Sequence, residues 1–219
     1  MNINQKAQQT PVSKGGYNSS MDTVTRSKGG RPNPKNLDPN KRYMSLNICT
    51  GRAFVGFVNP RDDEFISVAF SFLKNRFHTK HVRAGCELNF DESFLFEFEG
   101  EYGTSKFDSS IMLKLNQPIH ICILRHRKNE RPVVIGTKNL DWRSLLYCNS
   151  VEINAEVMPV DMTHKGSLGV LQINLDLVPN MQKTELCGED QVKRQLELEK
   201  KYDQEMLQKF LDYANNWWS

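Results

Sequence analysis

Two segments of the chain alternate apolar and polar residues with a period of two, and they restrict the fold more than any other feature of the sequence. Alternate side chains of a β-strand point to the same face, so residues 64–72 and 93–98 are each expected to form a strand with one buried side. The alternating apolar positions are Ile66, Val68, Phe70 and Phe72 in the first segment and Phe94, Phe96 and Phe98 in the second.

Six further short segments, separated by Gly, Pro, Asn, Asp and Lys clusters, complete a set of eight predicted strands. They are residues 43–49, 77–82, 118–124, 133–136, 151–157 and 167–178. A strand that is apolar on one side must bury that side against a second layer. The pattern therefore predicts an all-β, eight-stranded antiparallel β-sandwich over residues 42–179.

Residues 1–41 differ in composition, because they are rich in Gln, Asn, Ser, Lys, Gly and Pro and offer little apolar material to offset the entropy of ordering. Residues 1–42 contain eight Lys or Arg against two Asp or Glu. We predict a disordered basic tail. Its segment 27–32 resembles the Gly-Arg-Pro core of minor-groove hooks, but a flexible basic linker is the favoured interpretation, and nucleic acid is not the expected partner.

After Pro179 the apolar period lengthens to that of a helix, with Leu198, Tyr202, Met206 and Phe210 recurring every four residues. Residues 180–219 are therefore predicted to be a linker followed by an amphipathic helix of about seven turns. Adjacent helical side chains project about 100° apart, so one narrow groove cannot cover both terminal indoles. The predicted partner anchors of the helix are Tyr202, Phe210, Trp217 and Trp218, and docking within the chain or on another chain stays open.

The sequence offers little for catalysis, metal binding or membrane insertion. It has no run of eighteen apolar residues, no apolar signal segment near Met1, and no nucleophile-elbow, Walker or dinucleotide motif. Its five cysteines leave one unpaired and form no Cys-x-x-Cys, which favours a reducing compartment over a disulfide framework. We predict a non-enzyme with no catalytic residues, no metal and no cofactor.

Several strand segments resemble those of C2 domains. The family's "T-K … N-P-x-[WF]-x-E-x-F-x-F" stretch is similar to Thr79-Lys80-His81-Val82 followed by residues 89–96. Residues 89–96 lack the Pro and the Trp of that stretch. Val134-Ile135-Gly136 resembles the family's "IG" strand, and residues 166–173 resemble its closing "G-x-L-x-V" strand. The resemblance implies that the sandwich is of the C2 type.

Further motifs make the resemblance more specific, to the C2 domains of the seventy-six-kilodalton centrosomal protein family. They span about residues 38–218 and are Asp38-Pro39, Arg42-Tyr43, Asn75-Arg76-Phe77, Cys86-Glu87, Pro118-Ile119-His120, Trp142-Arg143-Ser144, Gly169-Val170-Leu171, Tyr213-Ala214 and Trp217-Trp218. The resemblance implies a cytoplasmic, cytoskeletal setting at the centrosome, centriole, basal body or cilium, with protein partners there. It also implies a role as a scaffold or a regulator of centriole duplication.

Many C2 domains bind Ca²⁺ through several loop carboxylates, because this hard cation needs six to eight oxygen ligands. Where the family carries Asp-x-Asp, after the strand that includes residues 121–124, this chain has Arg125-His126-Arg127-Lys128. Of the family's acidic loop positions, one is still matched by an acidic residue in this chain, namely Asp63, with Asp62 beside it. The resemblance therefore implies a calcium-independent domain.

Arg125, Arg127, Lys128 and Arg131 are predicted to form a basic loop. Arginine suits bidentate contact with phosphate or carboxylate, so the loop is a candidate site for an acidic protein surface or for anionic phospholipids. A solvated charged hairpin is the alternative, because charge runs on loops are usually only solvated. The leading hypothesis is a protein-interaction module, and peripheral binding to anionic membranes is the second.

Overall fold

The computed structural model describes residues 27–28, 37–38, 41–54, 60–98, 108–161, 166–184 and 186–217. The strands within these ranges are β1 Ser27–Lys28, β2 Arg42–Arg52, β3 Glu64–Phe72, β4 Asn75–His78, β5 Val82–Arg83, β6 Leu88–Phe98, β7 Ile119–Arg127, β8 Val133–Leu140, β9 Ser150–Pro159 and β10 Gly169–Val178. The helical elements are α1 Ser109–Met112, a 3₁₀ turn Arg143–Leu146 and α2 Glu189–Trp217.

The strands form two antiparallel layers joined at one corner. The first layer has the order β1-β6-β2-β10-β9, and the second has the order β8-β7-β3-β4, with β5 also paired to β3. The layers meet where β8 and β9 share two residue pairs, Gly136 with Pro159 and Thr137 with Met158. This arrangement confirms the predicted antiparallel β-sandwich with a C-terminal helix.

The core lies between the two layers, on the faces that the alternating pattern predicted. The alternate residues of β3 from Ile66 to Phe72 are buried, as are Phe94 and Phe96 of β6. Phe70 packs edge-on against Phe94 at 4.7 Å between ring centroids. Such aromatic contacts add to the free energy gained by burying apolar area.

One predicted strand is divided in the structure. The segment 77–82 becomes β4 and β5, separated by residues 79–81. The Thr79 hydroxyl accepts a hydrogen bond from the Val68 amide at 3.0 Å, and so takes the place of a backbone carbonyl in the ladder. The Lys80 amide donates to the Glu92 carboxylate of β6 at 2.6 Å, which draws the chain toward the opposite layer. A side-chain bond of this kind is not visible in an apolar pattern.

The predicted tail, residues 1–41, falls almost entirely outside the described residues. Within it, Ser27 and Lys28 form β1 and pair with Ser93 and Glu92 at the edge of β6. The prediction of disorder for the other tail residues stays a prediction.

The two ends of the sandwich differ in what they carry. One end holds the connections β2–β3, β5–β6, β7–β8 and β9–β10, and we call it the tip. At the opposite end Trp142 is fully buried against Phe72 and Phe98, and its indole N–H donates to the Gln117 carbonyl at 3.0 Å. The 3₁₀ turn that follows Trp142 contacts α2.

Candidate functional site

The structure corrects the predicted loop position of Arg125 and Arg127. Both residues belong to β7, which continues to Arg127, and the turn to β8 consists of residues 128–132. β7 is paired on both sides here, Arg127 with Glu64 of β3 and Arg125 with Val133 of β8. Backbone pairing on both edges extends the strand past the end of its apolar pattern.

The two arginines lie on the inner face of their layer. In the β3–β7 ladder Arg127 is opposite Glu64 and Arg125 is opposite Ile66. Directly paired residues of antiparallel strands share a face, and Ile66 is fully buried. At the tip, the inner face of the second layer therefore carries the guanidinium groups of Arg125 and Arg127 in place of apolar side chains.

Glu64 supplies the negative charge for both arginines. Its Oε1 accepts hydrogen bonds from Arg127 Nε at 3.2 Å and Nη2 at 3.1 Å, and Arg125 Nε lies 3.6 Å away. Glu64 is only 4% exposed, so this carboxylate is largely removed from water. A buried charge is costly unless it is paired and hydrogen-bonded, and the arginines meet that requirement.

The acidic residues at the tip do not converge. Asp62 and Asp63 are both exposed, and Asp62 forms an ion pair with Arg83. Within the part of the chain that the structure describes, no group of three or more His, Cys, Asp or Glu side chains is placed to hold a metal ion. The carboxylate that does point inward, Glu64, is engaged by guanidinium groups.

The other two predicted basic residues, Lys128 and Arg131, are exposed in the turn between β7 and β8. Val133 and Val134, which follow at the start of β8, are also more than two-fifths exposed. Glu130 of the same turn lies 3.8 Å from Arg127 Nη1. The turn therefore combines two exposed cations with exposed aliphatic side chains and one acid.

A histidine pair lies on the outer face of the second layer. The rings of His81 and His126 stack with centroids 3.9 Å apart, and His126 Nε2 is 2.8 Å from the Ser67 hydroxyl. Burial lowers the pKa of His126, and the neighbouring His81 and His78 lower it further. The sequence did not predict this contact, since forty-five residues separate His81 from His126 along the chain.

The first part of α2 packs on the sandwich around Arg143, whose side chain is 4% exposed. Its Nη1 and Nη2 contact the two oxygens of Glu199 at 2.9 and 2.8 Å, and Nη2 lies 2.7 Å from Asp141. Val192 is fully buried, and Leu196 packs against the core. α2 is therefore fixed to this end of the sandwich by the apolar contacts of Val192 and Leu196 and by one ion cluster. We call this cluster, Arg143 with Asp141 and Glu199, the Arg143 clamp.

The Arg143 clamp shifts the pKa of its members. Burial alone would raise the pKa of Glu199, but hydrogen bonds from Arg143 and Gln195 and the Arg143 charge hold it below its usual value. For Arg143, burial is opposed by hydrogen bonds and charges from Asp141 and Glu199, which raise its pKa overall. Both groups therefore stay ionised near neutral pH.

Past Glu199, α2 leaves the sandwich. Every described side chain from Lys200 to Lys209, and that of Leu211, is exposed, including the predicted anchor Tyr202 at 62%. The side chains of the anchors Phe210 and Trp217, and all of Trp218, lie outside the described residues. The helix thus docks within the chain at its base and presents an apolar stripe beyond it.

An open groove of about 440 Å³ lies between α2 and the end of the sandwich opposite the tip. Its walls include Asn116, Asp141 and Arg143 on one side and Leu196, Lys200 and Leu207 on the other. None of the described helices is long and apolar enough to cross a membrane.

Comparison with known proteins places these features in context. Residues 35–183 match the family model of the CEP76 C2 domain. The protein named centrosomal protein of 76 kDa is 30% identical in Mus musculus and 29% identical in Homo sapiens over 194 residues. Each alignment covers 84% of this chain and 29% of the relative, so the chain spans less than a third of their length. A solved structure of CC2D1B has a TM-score of 0.50 at 16% identity, covering 70% of this chain and 62% of that one, which indicates a shared fold.

Proposed function

The chain belongs to the CEP76 C2 domain family, and from this premise we propose that it is a non-enzymatic, calcium-independent interaction module of a centrosome-associated protein. Its setting would be the centriole, basal body or cilium, where it would act as a scaffold or as a regulator of centriole duplication. The relatives are named for the centrosome, and this name supports the location.

The observation that carries the interaction role is the course of α2. The base of the helix is fixed by the Arg143 clamp, and the described side chains beyond Glu199 are exposed, among them Tyr202, Met206, Leu207 and Leu211. Contiguous exposed apolar surface on a soluble domain is typical of interaction sites. Large side chains such as Tyr and Trp often carry much of the binding free energy.

Calcium independence is supported by the tip. Glu64 is turned inward and paired with Arg127 and Arg125, whereas Asp62 and Asp63 are exposed and do not converge. A Ca²⁺ ion requires several oxygen ligands, and two guanidinium groups at its position would repel it.

A test of the cellular setting is to express the tagged chain in cultured ciliated cells and measure its enrichment at centrioles relative to the cytoplasm. We expect enrichment for the chain and a several-fold reduction for Tyr202→Ala combined with Leu207→Glu. Arg194→Glu, an exposed change on another side of the same helix, is the matched control and should keep the enrichment. A uniform cytoplasmic distribution of the unchanged chain would contradict the proposal.

Peripheral binding to anionic phospholipid is the second candidate. It is favoured by the exposed cations Lys128 and Arg131 beside the exposed Val133 and Val134. The predicted contributions of Arg125 and Arg127 are weakened, because Glu64 already neutralises part of their charge.

Cosedimentation with phosphatidylserine-containing vesicles distinguishes the two functions. If the membrane role holds, Lys128→Glu with Arg131→Glu should abolish binding, whereas Lys114→Glu, an exposed cation at the opposite end of the sandwich, should not. Equal loss in both variants would indicate only non-specific charge attraction.

A further inference from the structure

The outer face of the first layer is buried along three strands, and we propose that it is a docking surface for a short basic segment, occupied by residues 29–36 of the chain's own tail. We call this surface, the outward-facing residues of β6, β2 and β10, the β6–β2–β10 face. For these eight residues the proposal takes the place of the predicted disorder. It is independent of the proposed interaction role of α2.

The first observation is the burial of side chains that point away from the core. Met44 and Leu46 of β2 belong to the core, so Tyr43 and Ser45, which alternate with them, point outward. Ser45 is nevertheless only 1% exposed, and its paired residue in β6, Leu95, is 2% exposed. The second layer covers only the inner face of β2 and β6. Another part of the chain therefore covers these residues.

The cover is confined to the strands nearest to β1. On β9, at the other edge of the same layer, the outward-facing residues Glu152, Asn154 and Glu156 are exposed. The helices α1 and α2 contact the 3₁₀ turn, at the end of the sandwich opposite the tip. We therefore infer that the covering segment approaches from the edge where β1 pairs with β6.

The second observation is the direction of β1. Both β1 and β2 are antiparallel to β6 and flank it, so they run in the same direction. Lys28, the last residue of β1, is opposite Glu92. β2 begins with Arg42 opposite Phe98, six residues further along β6. The connection from β1 must therefore return about 20 Å along β6 before β2 can begin.

Such a connection crosses one face of the sheet, because it joins two strands that run in the same direction. Phe94 and Phe96 fill the inner face of β6, so the outer face is the open path. Tyr43 and Ser45 lie between the level of Lys28 and the start of β2, so this path passes over the buried residues. A route round the free edge of β1 would leave them uncovered.

Residues 29–36 are long enough for this path. Eight extended residues span about 26 Å, which exceeds the return distance along β6. Pro32 and Pro34 favour extended backbone in the residues that precede them, Arg31 and Asn33. The segment is therefore suited to cross three strands in an extended conformation.

The third observation is a set of buried oxygen atoms on this face that have no hydrogen-bond partner among the described residues. They are Ser45 Oγ, Asn47 Oδ1 and Asn174 Oδ1. Asn47 and Asn174 are paired residues of β2 and β10, so the three side chains are neighbours. A buried acceptor without a donor is costly, and a covering segment with several N–H groups would remove that cost.

The charge of the face is opposite to that of the segment. Burial raises the pKa of the Cys49 thiol, and the charges of nearby carboxylates, Glu152 and Asp176 among them, raise it further. The face is therefore acidic around this outward-facing residue of β2. The segment contains Arg31 and Lys35 and no acidic residue. Both side chains carry several donors and a positive charge, so they match the unpaired acceptors and the carboxylates together.

Thiol labelling of the full chain tests whether the face is covered. Ser45→Cys places a thiol on the β6–β2–β10 face, and Asn154→Cys places one on the exposed outer face of β9. The labelling of the five native cysteines is subtracted. We expect Ser45→Cys to react with a maleimide about tenfold more slowly than Asn154→Cys, because the reagent must wait for local opening. Equal rates would overturn the proposal.

Charge reversal within the tail tests which segment provides the cover. In the Ser45→Cys chain, Arg31→Glu combined with Lys35→Glu should raise the labelling rate several-fold. Lys6→Glu combined with Lys14→Glu makes the same change of charge elsewhere in the tail, and it should leave the rate unchanged. Circular dichroism and the urea midpoint check that every variant keeps the sandwich. A rate that does not respond to the reversal at 31 and 35, or that responds equally to the control, would refute the proposed occupant.

Carbodiimide crosslinking tests the contact itself, because this reagent joins an amine to a carboxylate that lies beside it. We expect mass spectrometry to find Lys35 joined to Glu97 or Asp176 of the face. Lys35→Arg keeps the charge but offers no amine, so the crosslink should disappear while Ser45→Cys stays protected. A Lys35 that forms no crosslink to either carboxylate would contradict the proposal.

Discussion

Glu64 and Arg127 are directly paired residues of β3 and β7, and the Glu64 carboxylate accepts two hydrogen bonds from the Arg127 guanidinium, at 3.2 and 3.1 Å. Both side chains lie on the inner face of the sandwich at its tip, and Arg125 approaches the same oxygen. The tip thus contains a carboxylate and two guanidinium groups that compensate one another inside the fold.

Replacing Glu64 should destabilise the protein measurably. Glu64→Gln removes the carboxylate that Arg125 and Arg127 share and leaves Arg127 with the exposed Glu130, 3.8 Å away. Loss of a hydrogen bond to a charged group costs about 2 kcal/mol. Because Arg125 and Arg127 are 30% and 22% exposed, solvent reduces the effect. We expect a loss of about 2 kcal/mol in the free energy of unfolding, measured by urea denaturation.

Asp62→Asn, which removes the exposed ion pair with Arg83, is the control and should leave the urea midpoint unchanged. Equal midpoints for Glu64→Gln and the unchanged chain would show that the pairing contributes nothing.

Calcium should not stabilise the chain. A ligand that binds only the folded state at a hundred times its dissociation constant adds about 2.7 kcal/mol to stability. At millimolar Ca²⁺ a micromolar site would therefore raise the thermal midpoint by several degrees. We expect no shift beyond that of equal ionic strength of NaCl, followed by differential scanning fluorimetry. A Ca²⁺-specific rise would contradict calcium independence.

The Arg143 clamp should control the attachment of α2. Arg143→Ala leaves Glu199 without its cation and the Leu113 carbonyl without a donor, so we expect a loss of about 2 kcal/mol in the free energy of unfolding. Proteolysis within α2 should also become faster, because the base of the helix then loses its ion cluster and keeps the apolar packing of Val192 and Leu196. Lys193→Ala, which removes an exposed pair with Glu189 on the same helix, is the control and should alter neither measurement. If Arg143→Ala cleaves no faster than the control, the clamp does not fix the helix.

The histidine stack should make stability fall in mildly acid solution. The pKa of His126 is below its usual 6.5 in the folded state, because burial and the neighbouring His81 and His78 disfavour its cation. As the pH falls below 6.5 the unfolded chain takes up a proton that the folded chain resists, so the free energy of unfolding decreases. This decrease ends once the pH has passed the lowered pKa of the folded state.

The matched variants for this prediction are His126→Gln and His120→Gln. Glutamine at 126 can still reach Ser67 but carries no titrating group, so the decrease between about pH 6.5 and 5 should become smaller. His120 is an exposed histidine of the same strand that lies 2.8 Å from Asn139, and its replacement should leave the decrease intact. Urea midpoints across this pH range provide the measurement. An unchanged pH profile for His126→Gln would show that folding does not lower the pKa of His126.

The sequence by itself determined most of the strands, the C-terminal helix and the type of fold. Strand alternation in residues 64–72 and 93–98 specified which side chains are buried, and the four-residue period after Pro179 specified α2, because both depend on local spacing. The same alternation also includes three charged residues. Glu64 has the parity of Ile66, and Arg125 and Arg127 have the parity of Ile123, so all three charged residues belong to the core face.

Only the tertiary structure decided which charged residues meet. Sixty-three residues separate Glu64 from Arg127, fifty-six separate Arg143 from Glu199, and the stacked histidines are also distant in sequence. Such contacts depend on the register between strands and on where the base of α2 docks. Both are fixed by packing of the whole core, because a one-residue slip would turn every inward side chain outward. The periodicity of any single segment carries no information about its partner in that register.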